Sequence, residues 1–229
     1  MENAQIKNKM NRLKLTGMVD LYEHRLEMAM EEKWSYSTFL DMLLTDVLER
    51  KDNKKLTLRL AKSRLDVIKT METFDFTRKD LNAPVALIRE LCLCGFIEKN
   101  QNIFVFGKSG LGKSHIAQAI GHQACRRGYD VLFQCTKGLM DWIYGGIADG
   151  THKKRLDYVV KMPLIIMDDY GLQALLEEQQ KDLYHIIAER YEKRPIILTT
   201  NRAIEEWPDI FSHPLMGSGI VQYPFVQVS

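Results

Sequence analysis

The 229-residue chain is 45% apolar and 27% charged, with a formal net charge of +2. That length and apolar share can fill the core of one large domain, or of one domain with a smaller appendage, and they exclude a low-complexity or disulfide-stapled class. No run of about 18 apolar residues is present, and the polar start Met1-Glu2-Asn3-Ala4-Gln5-Ile6-Lys7 lacks the apolar core of a secretory signal, so a membrane protein is not expected and a cytoplasmic location is.

The first 70 or so residues hold one glycine, Gly17, and no proline, and they predict an all-helical region. Two helices, Gln5 to Leu15 and Met18 to Glu32, are expected around a Thr16-Gly17 break, with Leu13, Met18, Leu21, Tyr22 and Leu26 facing inward. Ser35 or Ser37 then caps a longer helix whose Phe39, Leu40, Leu43, Leu44, Val47 and Leu48 recur at three- and four-residue steps, the spacing of one buried face. This helix runs into a basic segment. Arg50, Lys51, Lys54, Lys55, Arg59, Lys62, Arg64 and Lys69 stand against Asp52 and Asp66. The excess is too one-sided for i,i+4 pairing with acids, although a solvated face accounts for part of it, and it reads as a surface for nucleic-acid phosphates.

The pattern changes around Met71 to Phe76, and Asn82-Ala83-Pro84 interrupts it again before helical spacing resumes over Val85 to Cys94. From Asn102 onward strands and helices alternate: strand Ile103–Phe106, helix 113–127, strand Val131–Cys135, helical material from Lys137 to Tyr144, strand Leu164–Met167, helix Glu177 to Glu192 and strand Ile196–Thr199. The strands are apolar on both faces, which suits a parallel sheet covered by helices on each side. The expected division is therefore a helical domain over 1–70, a linker and helix over 71–101, an α/β core over 102–211 and an atypical tail over 212–229.

The chemistry concentrates in Gly107-Lys108-Ser109-Gly110-Leu111-Gly112-Lys113-Ser114, which fits G-x-x-x-x-G-K-[ST] directly behind an apolar strand and ahead of a helix. Glycines let the turn open its N–H groups toward a phosphate, and the following helix points its positive end at the same anion. Lys113 is placed to reach the β- and γ-phosphates of ATP, and the Ser114 hydroxyl to sit on a Mg²⁺ bridging them. The buried strand Pro163 to Met167 ends in Asp168-Asp169, a Walker B arrangement in which Asp168 joins the Mg²⁺ shell and Asp169 orients the attacking water. An acidic pair capping the next element is the plain alternative. A third strand ends in Thr199-Thr200-Asn201, where Asn201 reads as a sensor of the γ-phosphate or lytic water, although strand-end Thr and Asn also start turns. His115, next to the loop, reads as a packed or hydrogen-bonded side chain. Trp34, Trp142 and Trp207 read as core or interface aromatics, and Lys153-Lys154-Arg155 either as a solvated charge run or as a nucleic-acid contact. Cys92, Cys94, Cys125 and Cys135 read as reduced core or near-core residues.

The phosphate loop with His115, together with Phe74-Asp75-Phe76, Leu87 to Leu91, Gly95-Phe96-Ile97-Glu98, Asp168-Asp169-Tyr170-Gly171 and Leu198 to Arg202, resembles the IstB family. These are ATP-binding helpers of insertion-sequence transposition, related to the DnaC helicase loaders within the AAA+ class of P-loop NTPases. Leu13 to Met18 and Phe39 to Leu44 resemble that family's helical domain, and the resemblance covers about residues 5 to 211. It implies an ATPase that assembles as a homo-oligomeric ring or spiral on duplex DNA and delivers target DNA to the transposase of the same element. A DnaC-like loader and a nucleotide-binding scaffold without turnover are the competing readings. The family's hydrolysis usually draws on an arginine supplied by a neighbouring subunit. After Phe211 this chain departs from the family, reading Ser212-His213-Pro214-Leu215-Met216-Gly217-Ser218-Gly219, with no arginine beyond Arg202. A truncated or altered end is expected, with Arg190, Arg194 and Arg202 as substitutes for the missing arginine.

Overall fold

The structure, a computed structural model, describes residues 2–77 and 84–202. The chain divides into two compact units, Met1–Leu58 and Arg59–Ser229. The atypical tail with His213, and Trp207 at the end of the α/β core, lie outside the described residues.

In the first unit, α1 (Glu2–Arg12), α2 (Thr16–Glu31) and α3 (Tyr36–Ser63, running on into the second unit) surround a small core of Met18, Tyr22, Leu43 and Val47, with Ile6, Met10, Leu15, Leu26 and Phe39 packed against it. The helix break falls at Leu13 to Leu15 rather than at Thr16-Gly17: Lys14 takes a left-handed φ of 58° and Gly17 sits in the first turn of α2. There a Cβ on Gly17 would stand 3.2 Å from the Val47 Cα, so the glycine sets how closely α2 and α3 approach. Ser35 caps α3 through its Oγ, which accepts the Thr38 N–H at 3.1 Å. The Arg25 guanidinium binds both Asp46 oxygens, at 2.9 and 2.8 Å, and this hydrogen bonding holds the Asp46 carboxyl below its ordinary pKa.

The expected apolar face of α3 is narrower than its spacing implies. Leu43 and Val47 are buried, but Leu40, Leu44 and Leu48 are exposed, as are Leu13 and Leu21. Three helices that meet along one line bury only a thin seam. Of an i, i+3, i+4 stripe, only the row facing its neighbours is covered.

In the second unit the strands β1 (Ile103–Phe106), β2 (Val131–Cys135), β3 (Leu164–Asp168) and β4 (Ile196–Thr200) form a parallel sheet in the order β1-β4-β3-β2. Before them lie two short helices, α4 (Val85–Leu91) and α5 (Gly95–Glu98), in place of one helix over Val85 to Cys94. The sheet strands carry α6 (Lys113–Arg126), α7 (Thr136–Gly145), α8 (His152–Lys161) and α9 (Glu177–Arg190). The helices α7, α8 and α9 pack with the strand face of Phe104, Leu132, Ile165, Met167, Ile196 and Leu198. The other face meets α6, whose Gly121 stands opposite Ile166. Because β4 lies between β1 and β3, the phosphate loop, the acid-ended strand and the Thr199-Thr200-Asn201 strand end open on one edge of the sheet.

One of the largest fully buried side chains in this unit is charged. Arg190, 1% exposed, donates to five carbonyl oxygens: Val159 at 2.9 Å, Val160 at 3.1 Å, Met162 at 2.6 Å, Pro163 at 3.3 Å and Pro195 at 2.7 Å. Most of these lie at the C-terminal end of α8, where unpaired carbonyls and the helix dipole favour a cation. Burial, and next the charge of Arg194, lower the Arg190 pKa to about 9, so it remains charged at neutral pH. Arg190 is therefore a core staple that cannot reach a neighbouring subunit, which removes it as a substitute for a trans-acting arginine. Of the cysteines, Cys92, Cys94 and Cys125 are buried and Cys135, at the end of β2, is exposed. Among the described residues no helix is long and apolar enough to cross a membrane.

Removing the Arg190 donors strands buried carbonyls. Arg190→Met is expected to lower stability by about 3 kcal/mol, read as a lower urea midpoint. Arg190→Lys recovers only part, because an ammonium has fewer donors and no planar fork. An unchanged midpoint for Arg190→Met would show that the carbonyls do not depend on it.

Candidate nucleotide-binding site

β1 delivers the chain to residues 107–112, and Gly112, at φ 85°, is the N-cap of α6, a conformation an L side chain resists. Lys113 opens the helix. It is buried, and its Nζ donates to the Lys108 carbonyl at 2.9 Å, folding the ammonium back over the loop. Burial lowers its pKa, while Asp169 and Asp168 pull it upward. Lys108, Ser109 and Gly110 are exposed and Leu111 is half-buried, so the loop faces solvent where a phosphate would approach.

The next residue ties the loop to the sheet. Ser114 Oγ donates to Asp168 Oδ1 at 2.8 Å, across 54 residues of chain. The same oxygen accepts the Thr199 hydroxyl from β4, and Thr199 Oγ1 in turn accepts the Asp169 N–H at 3.1 Å. The Asp168 carbonyl accepts Thr136 Oγ1 from α7 at 3.0 Å. Asp169 itself turns out of the strand at a left-handed φ of 54° and reaches solvent, and its partial burial, then the Asp168 charge, raise its pKa above the ordinary carboxylate value. Asn201, just past β4, is exposed. Arg202 Nε donates to the Gly171 carbonyl at 2.6 Å, pinning the loop after Asp169 to the end of β4.

Three residues here escaped the sequence reading as contributors. Thr199 and Thr136 sit at strand and helix ends where hydroxyls are commonplace, and only the β1-β4-β3-β2 order brings Thr199 onto Asp168. Gln118 belongs to a polar column on α6. Its Oε1 accepts the Asp66 N–H at 2.8 Å, His122 Nε2 bonds the Asp66 carbonyl at 2.9 Å, and His115 Nε2 bonds the Thr70 carbonyl at 2.9 Å. Arg126 completes it, binding Glu72 at 2.6 Å and holding that carboxyl at a pKa of about 2. The spacing 115, 118, 122, 126 is one helical face. It clamps residues 66–72 along the phosphate-loop helix, and the His115 ring packs edge-on against Phe74 with centroids 5.1 Å apart.

The basic candidates divide. Arg50 is engaged with Asp20, Lys55 with Asp52 at 3.1 Å, and Arg59 with Asp130 at 3.2 Å, while Lys51, Lys54 and Lys62 are exposed along α3. Arg64 binds Gln134. Lys153, Lys154 and Arg155 fall on α8, a helix the charge run concealed; the two lysines are exposed, whereas Arg155 donates to the Trp142 carbonyl and to Asp149 Oδ2, each at 2.6 Å. Among the described residues no His, Cys, Asp and Glu cluster could hold a metal by itself.

A strand, phosphate loop and helix beside an acid-ended strand, in a parallel sheet ordered β1-β4-β3-β2, define a P-loop NTPase core of the AAA+ type. Solved structures agree. DnaA bound to AMPPCP and single-stranded DNA superimposes with a TM-score of 0.62 at 25% identity, over 72% of this chain and 51% of that one. The DnaC helicase loader superimposes with a TM-score of 0.60 over 70% of this chain and 97% of that one, at 23% identity, a likeness of fold. The chain belongs to the IstB-like ATP binding protein family, whose model matches residues 8–223 and so runs through most of the tail set apart above. It is 31% identical over 217 residues to an insertion-sequence ATP-binding protein of Mycobacterium tuberculosis, covering 94% of this chain and 86% of that one. A counterpart from the IS5376 insertion sequence of Geobacillus stearothermophilus is 33% identical over 211 residues, with 92% and 84% covered.

Thr199→Val keeps the shape but leaves Asp168 and the Asp169 N–H without their shared partner. It is expected to destabilise the fold by about 1–3 kcal/mol, measured by urea unfolding, with Thr199→Ser restoring most of the loss. Equal midpoints for the valine variant and the parent chain would rule out a bridging role.

Proposed function

We propose that this chain is an ATP-dependent, DNA-binding AAA+ regulator of transposition, which assembles on target DNA and recruits the transposase of its own element. The observation that carries the nucleotide half is the Ser114–Asp168–Thr199 junction, which joins the phosphate loop to the acid-ended strand through a single carboxylate oxygen. A hydroxyl and a carboxylate 2.8 Å apart are a hard-oxygen pair of the kind Mg²⁺ takes. Ser114 and Asp168 would hold the ion, and it would supply charge neutralisation for the ATP phosphates.

The remaining roles belong to this chain's own groups. The 107–112 backbone and the α6 N-terminus cradle phosphate, and Lys113 exchanges the Lys108 carbonyl for phosphate oxygen. Asp169, exposed and turned out of the strand, orients the attacking water, with Asn201 beside it at the end of β4. Of the three arginines, Arg190 is buried in the core and the Arg202 Nε bonds the Gly171 carbonyl, so Arg194 is the stronger candidate for a neighbouring subunit's site.

The DNA half is supported by the basic row on α3, by the insertion-sequence relatives, and by the DnaA structure described with single-stranded DNA. Lys51 and Lys54, both in the first unit, share one face of α3, the geometry for tracking phosphates, and Lys62 is exposed on the part of α3 that belongs to the second unit. Transposase recruitment rests on the relatives' insertion-sequence origin.

Lys113→Ala is expected to weaken ATP binding by more than tenfold, read by titration with a fluorescent ATP analogue. Asp169→Asn is expected to bind ATP normally but release phosphate at least tenfold more slowly with DNA present; equal rates would remove Asp169 from the chemistry, and no release by the parent chain would favour a scaffold that binds ATP without turning it over. Replacing Lys51, Lys54 and Lys62 with glutamine should reduce the slope of log affinity against log salt for duplex DNA by about one for every phosphate these lysines neutralise. An unchanged slope would place DNA elsewhere.

A further inference from the structure

A second cavity shares no lining residue with the nucleotide site. Arg64, Trp142, Thr151, Lys154, Arg155 and Tyr158 line an open depression of about 410 Å³, all within the Arg59–Ser229 unit. Among the described residues, three cations and no acid line it. The Arg155 guanidinium stands 5.3 Å, and that of Arg64 6.0 Å, from the centre of the Trp142 ring, both within cation–π range. Tyr158, 46% exposed, meets the same ring edge-on at 6.2 Å.

The two guanidinia are oriented in advance. Arg155 is fixed by the Trp142 carbonyl and Asp149, and Arg64 by Gln134. Arg64 also holds a left-handed φ of 62° directly after α3, a conformation that is disfavoured for a non-glycine residue and that sets the direction its side chain leaves the chain.

Each class of occupant can be weighed by what it would leave unused. An acidic peptide would satisfy the cations but leave the exposed Tyr158 ring and the half-buried Trp142 ring without a stacking partner. Intact duplex DNA presents phosphates with its bases stacked inside, so the rings would again be idle. An unpaired nucleotide uses both, with its base on an aromatic or guanidinium face and its phosphate among the cations. The volume lies near the lower end of the roughly 300–1,000 Å³ of small-ligand sites, room for about one nucleotide. We propose that this cavity receives one unpaired nucleotide of a bound DNA strand, its base against Trp142 and Tyr158 and its phosphate on Lys154 and the two guanidinia. The inference rests on the DNA-binding reading above.

The chain contains three tryptophans, so Trp34→Phe with Trp207→Phe leaves Trp142 as the sole tryptophan, read by exciting at a wavelength that tyrosine does not absorb. In that full-length background, oligothymidylate is expected to quench Trp142 emission on binding, whereas a perfect duplex of equal length, with its binding followed by anisotropy of a DNA label, leaves the emission unchanged. Tyr158→Ala should weaken oligothymidylate binding about tenfold, with ATP binding retained as the sign of a folded chain. Duplex binding combined with no quenching by oligothymidylate, or an unchanged oligothymidylate affinity in Tyr158→Ala, would overturn the cavity assignment while the DNA-binding reading stands. Binding of neither DNA would overturn both.

Discussion

The second unit depends on one carboxylate. Asp168 ends β3, accepts hydroxyls from α6 and β4 on a single side-chain oxygen, and offers its carbonyl to the first residue of α7. A charge this buried is tolerated only when its lone pairs are taken up by donors, and here every donor comes from an element that the site needs in place. The junction therefore fixes the phosphate loop relative to the strand ends, and it does so through side chains whose oxygens are also the natural ligands of a hard cation. Stability and chemistry draw on the same atoms, so ion binding would exchange internal hydrogen bonds for metal contacts instead of adding to them.

Around that junction the unit is held by polar groups serving as connectors. The α6 column from His115 to Arg126 bonds the backbone and side chains of residues 66–72, so the segment ahead of the sheet is laid along the helix that starts with Lys113. Displacing that segment would pull on the phosphate-loop helix at several points along its length. The exposed Leu40, Leu44 and Leu48 on α3 have no comparable anchoring in the first unit, whose core rests on a thin apolar seam and the Arg25–Asp46 pair.

Much of the α/β core was legible because its signals are strong and local. Four largely apolar runs became four strands, two of them one residue longer than expected, since Asp168 and Thr200 still pair in the ladder although their side chains are polar. The phosphate loop and the Asp168-Asp169 pair were equally plain. What the sequence hid depended on neighbours. The α8 helix opens on Lys153-Lys154-Arg155, and its few inward residues, Leu156, Val159 and Val160, are too sparse to declare a face. The leucines of α3 have helical spacing whether or not anything covers them. Thr199 became part of the site only through strand order, which no local pattern encodes.

Arg190 illustrates the same limit and has a consequence for how the unit is tied together. Its five acceptors come from the end of α8, the entry to β3 and the turn before β4, so their sequence separations from it run from 5 to 31 residues. A guanidinium keeps its water until replacement acceptors are in position, because dehydrating it earlier is costly. The end of α9 is therefore tied at once to α8, to the entry of β3 and to the turn at Pro195. Loosening any one of these three would strip the guanidinium of part of its carbonyl cage, so a disturbance in one is felt by the others.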